Sequence, residues 1–95
     1  MTRENLLNKL HKAFSEDTNI KAKPYDAGKA YGGWLELIIG QVNCSEMESI
    51  TMFLRKRFSQ PDRYSHNLPK LVARREGVCL IFQDTEVERV FGNSN

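Results

Sequence analysis

The sequence predicts a small α+β domain: an antiparallel sheet with helices packed on one of its faces. Three observations carry this. Two stretches space their apolar residues by three and four, the period of a helix with one buried stripe. Trp34 to Ile39 is a near-continuous apolar run too short for a typical helix and long enough for a strand. Val78-Cys79-Leu80-Ile81-Phe82 is a second such run, preceded by a glycine that suits a tight turn. Ninety-five residues make one domain and are too few for two. It is expected over residues 1–92, with 93–95 as a disordered tail.

Thr2 caps a first helix expected to reach about Ser15. Leu6, Leu7, Leu10 and Phe14 form its stripe, and Glu4 lies in the first turn, where an acid complements the helix dipole. His11 neighbours the stripe and reads as an ordinary helix residue. Ile20 and Ala22 alternate with Lys21 and Lys23, which predicts a short strand that Pro24 confines to an edge or ends. Residues 26–33 hold three glycines but no Gly-Lys-Ser/Thr, and a strand follows them. They read as a hairpin connection, not a phosphate-binding loop.

In the strand Trp34 to Ile39, Trp34, Glu36 and Ile38 face one way and Leu35, Leu37 and Ile39 the other. Trp34 reads as a core anchor, with base stacking as the alternative. Ser45 and Glu48 make a capping box for the next helix, whose stripe is Met47, Ile50, Leu54 and Phe58. One core is expected from Trp34, Leu35, Leu37, Ile39, Leu54, Leu80 and Phe82 with Leu10 and Phe14.

Residues 59–69 are polar, aperiodic and carry two prolines. Beyond them two readings compete. In the favoured one, Lys70 to Arg74 is a strand and Glu76-Gly77 turns it back into Val78 to Gln83. In the other, Asn67 and Pro69 start a short helix that Gly77 ends. Asp84 then caps a last helix with a stripe of Val87, Val90 and Phe91, closed by Gly92. The resulting order is α-β-β-α-β-β-α. It resembles that of double-stranded-RNA-binding domains, which also open on a helix. Those have three strands and a basic motif at the start of their closing helix. Here the basic cluster ends a helix, so the resemblance implies no function.

Charge carries the best functional clue. Residues 55–75 hold seven Lys or Arg against one acid, Asp62, a net of +6 that leaves −4 for the rest of a chain of net charge +2. Such asymmetry steers anionic partners. The expected binding residues are Arg55, Lys56, Arg57, Arg63, Tyr64, Lys70, Arg74 and Arg75, with Tyr64 available to stack on a base. Nucleic acid is the first expected partner. An acidic protein docked on the same segment, by a regulator or inhibitor, is the alternative.

No catalytic constellation stands out, and an enzyme is not expected. Cys44 precedes a helix and could be drawn against His66, but nothing in the sequence places them together. Cys44, Cys79, His11 and His66 lack metal-ligand spacing, so no metal or other cofactor is expected. With no leader-like segment, no membrane-length apolar run and only two unpaired cysteines, the chain reads as a cytoplasmic protein.

Overall fold

A computed structural model describes residues 2–28, 33–58 and 69–92. The order of elements is α1 (Arg3–Thr18), β1 (Lys23–Asp26), β2 (Trp34–Gly40), α2 (Cys44–Arg57), β3 (Lys70–Arg74), β4 (Gly77–Gln83) and α3 (Asp84–Phe91). The fold is therefore α+β, in the expected order. The four strands form one antiparallel sheet in the order β1-β2-β4-β3, so two hairpins lie side by side and β2 and β4 are central. Arm residues 59–68, with Arg63 and Tyr64, and the expected tail at 93–95 lie outside the described residues.

The helices start and stop where local chemistry allows. The Thr2 hydroxyl accepts the Asn5 amide at 3.1 Å, as expected of a cap. α1 runs past Ser15 to Thr18 and ends on Asn19 in the left-handed region, φ 57°, a conformation asparagine tolerates better than most residues. The box that opens α2 is Asn43–Glu46, not Ser45–Glu48. Asn43 Oδ1 accepts the Glu46 amide at 2.8 Å, and Glu46 Oε1 accepts the Asn43 amide at 2.9 Å. The earlier box offers the same two bonds and adds two residues to the helix. The N-cap of α3 is Gln83, without a side-chain cap bond; Asp84, expected as the cap, is the first helical residue, and its carboxylate binds Arg3 at 2.5 Å. Arg3 also binds Asp26 at 2.8 Å and the Trp34 carbonyl at 3.1 Å, so one guanidinium ties α1, β1, β2 and α3 together.

Paired residues on neighbouring strands share a face of the sheet. Leu35 pairs with Phe82 and Leu37 with Leu80; these four are fully buried against the helices. Leu6, Leu7, Leu10 and Phe14 of α1, Ile50 and Phe53 of α2, Val87 and Phe91 of α3, and Phe58 complete one core. Three members of the expected core differ. Trp34 lies on the opposite face and is half-buried, while Ile39 and Leu54 only pack against the margin. In α2, Phe53 takes the place foreseen for Leu54. Both stand one turn beyond Ile50, and the aromatic ring meets Phe14 edge-on with centroids 5.2 Å apart.

β1 begins at Lys23 rather than Ile20. Ile20 is buried, but it follows the left-handed turn at Asn19 and never enters the ladder. Pro24 sits inside β1 opposite Leu37, which an edge strand permits because the missing N–H can fall on its unpaired side. The 70–83 segment is a hairpin, and its turn is Arg75-Glu76, with Gly77 already paired to Arg74.

Candidate functional site: the helix-free face of the sheet

All three described helices put their buried residues into one core, so the other face of the sheet carries no described helix. Register gives its composition. One row runs Tyr25, Glu36, Ile81, Lys70 across all four strands; the next runs Lys23, Ile38, Cys79, Val72. Trp34 and Gln83 flank the first row, and Arg74 stands beyond the second. At ordinary strand spacing a row is about 14 Å wide, and successive rows lie about 7 Å apart.

The floor is apolar and the edges are cationic. Tyr25 is 49% exposed, and Ile38, Val72 and Ile81 are half-buried. Lys23 on β1 and Lys70 and Arg74 on β3 are exposed. Beneath them, on this face, lies Glu36, the one buried charged residue among the described residues, only 2% exposed. Its Oε1 accepts the Cys79 thiol at 3.1 Å and faces the Arg74 guanidinium at 3.3 Å. Those contacts make burial of a carboxylate tolerable. Burial, then the hydrogen bond to Glu36 and the Glu36 charge, push the Cys79 thiol up to about 12. It stays protonated and unreactive at neutral pH, and any stability it contributes is lost as pH rises from about 9 towards 12. Both cysteines are free, Cys44 exposed and Cys79 buried.

The six described residues of the expected site do not form one patch. Arg55 and Lys56 are exposed at the end of α2, in the helix layer. Arg57 is occupied: its Nε and Nη2 bond Asp17 of α1 at 2.8 and 3.1 Å. That hydrogen bond, and then the charge behind it, hold the Asp17 carboxyl below its ordinary range. Lys70 starts β3 near the α2 end, because it pairs with Ile81, the neighbour of Phe82, on which Phe58 packs at 5.2 Å. Arg74 and Arg75 lie at the far end of the hairpin, about 13 Å away by strand rise. Arg75 is exposed, and Arg74 is shared with Glu36. Arg63 and Tyr64 are outside the described residues.

Among the described residues of the expected site, only Lys70 and Arg74 therefore share the helix-free face. Tyr25 and Lys23 join them there, and neither is in the basic segment. A signal for them existed: in Lys23-Pro24-Tyr25-Asp26 the first and third residues share a face of any strand. No three His, Cys, Asp or Glu among the described residues gather to hold a metal. No described helix is long and apolar enough to cross a membrane. No protein-family model, curated protein or solved structure matches the chain.

Proposed function

We propose that the protein binds single-stranded nucleic acid across the helix-free face of its sheet, as a binding module without a catalytic step. The observation that carries this reading is the row from Tyr25 to Lys70, continued by Lys23 in the next row. An exposed aromatic, Tyr25, stands beside Lys23 on one edge strand, and an apolar floor separates them from the cations Lys70 and Arg74 on the other. Unstacked bases pack on such a floor, while phosphates pass over the cationic margins. Duplex is a poorer ligand, since its base faces are already stacked and a flat sheet does not enter a groove. The Glu36 carboxylate does not spoil the surface, because it is buried and Arg74 faces it. The expected site thus moves from the basic segment as a whole to Lys23, Tyr25, Lys70 and Arg74, with Ile38, Val72 and Ile81 as floor. Arg55, Lys56 and Arg75 are left as more distant attractive charge.

Fluorescence anisotropy with labelled oligo-dT, oligo-U and a duplex, across a salt series, tests this reading. Oligo-dT or oligo-U is expected to bind at low salt and to weaken as salt rises, through counterion release. Tyr25→Ala is expected to lose about 1–3 kcal/mol with the salt slope unchanged, the signature of stacking. Lys70→Ala is expected to lower the slope by about 0.7, one phosphate's share on a single strand. Arg57→Ala should alter neither, because its guanidinium serves Asp17. No binding at low salt, or a Tyr25→Ala protein that binds like the parent, removes the proposal.

A further inference from the structure

We infer that the free edge of β3 accepts an added strand from an acidic partner protein. β3 is the outermost strand, paired to β4 on one side, and no described residue hydrogen-bonds its other side. Unpaired N–H and C=O groups in a row are a template for another strand, and proteins commonly block such edges. The opposite edge is blocked here, since Pro24 stands in the middle of β1. β3 has no proline and no acid, and its register with β4 runs unbroken from Lys70 to Arg74.

Side chains agree with the backbone. Leu71 and Ala73 point to the helix side of the sheet, yet the helix layer does not cover them: Leu71 is 44% exposed and Ala73 is exposed too. An added strand would lay an apolar side chain beside Leu71.

Charge selects the occupant. A second copy of β3 pairing antiparallel about Val72 would set Lys70 opposite the other copy's Arg74, and Arg74 opposite its Lys70. Like charges directly opposite one another destabilise a strand pair. An acidic residue at each of those two positions turns both repulsions into attractions. The partner is therefore an extended segment that alternates acidic and apolar residues, acids towards the helix-free face and apolar side chains towards Leu71. This inference uses the sheet edge and does not depend on nucleic-acid binding to the face.

The test uses three labelled peptides and no nucleic acid: alternating Glu and Val, alternating Lys and Val, and the Glu/Val peptide N-methylated at every second backbone nitrogen. The Glu/Val peptide is expected to bind the intact protein, the Lys/Val peptide not to bind, and N-methylation to weaken binding at least about tenfold by removing ladder donors. Lys70→Glu, on an exposed side chain and checked for native circular dichroism, is expected to weaken the Glu/Val peptide and admit the Lys/Val one. The inference is overturned if the Glu/Val peptide fails to bind, if N-methylation changes nothing, or if sedimentation shows the chain pairing with itself through this edge.

Discussion

Replacing Phe58 with Ala is expected to cost about 3–5 kcal/mol, the usual loss for a buried phenylalanine. Phe58 lies just past the last residue of α2, and its backbone N–H still closes the helix on the Leu54 carbonyl at 2.9 Å. Phe58 is only 2% exposed and has three aromatic neighbours among the described residues: Phe53 at 6.1 Å, Phe82 at 5.2 Å and Phe91 at 6.0 Å between centroids. Those rings belong to α2, β4 and α3, so truncation opens a cavity where three elements meet. A domain of this size has about 5–15 kcal/mol of stability in all, so the variant should lose a large share of it. Urea unfolding measures the loss. A loss below about 1 kcal/mol would mean that the ring is not the junction described.

Gly77→Ala should be nearly as damaging, for a different reason. Gly77 has φ 134°, a region L-residues rarely occupy, and a Cβ there would stand 2.0 Å from the Gly40 carbonyl carbon. Neither backbone can swing aside as a side chain would, because Gly40 lies at the irregularity in the β2–β4 register and Gly77 opens β4. Overpacking costs about 1–3 kcal/mol, and unfavourable φ about 1–3 kcal/mol more. Gly40→Ala separates the two effects. Gly40 also has positive φ, at 97°, but a Cβ on it would come no nearer than 3.9 Å to other atoms. Thermal unfolding should rank Gly77→Ala well below Gly40→Ala, with the parent above both. Equal losses would show that the close approach at Gly77 is relieved at no cost.

Much of this fold is written in local patterns, and its departures from them have physical causes. The strand at 34–40 and the hairpin at 70–83 follow from apolar runs and turn chemistry. The opening of α2 was placed at Ser45–Glu48, and Asn43–Glu46, which satisfies the same rule two residues earlier, is the box that forms. The choice of Phe53 over Leu54 depended on where Phe14 lies, which no window around α2 contains. Ile20 and Ala22 do turn inward, but burial alone does not make a ladder, and β1 starts where β2 offers partners.

The candidate site was harder to read, because it is assembled by register. The sequence placed Glu36 on one face with Trp34 and Ile38, and nothing local to β2 marks its carboxylate as buried. Its burial is understood only through Cys79 and Arg74, which lie far along the chain and arrive with the second hairpin. The basic segment was visible as composition, yet composition is blind to pairing. Two of its arginines, Arg57 and Arg74, face carboxylates. Tyr25 was passed over because its strand was placed too early by three residues.

The most direct measurement of the central claim is an amide and side-chain NMR titration of the labelled protein with oligo-dT and with oligo-U at low salt. Binding on the helix-free face is expected to give saturable shift changes on Lys23, Tyr25, Ile38, Lys70, Val72 and Ile81 for at least one of the two, with the exposed surfaces of α1 and α3 unmoved. Changes confined to the end of α2 around Arg55 and Lys56, or no change anywhere, would contradict a binding site on the helix-free face.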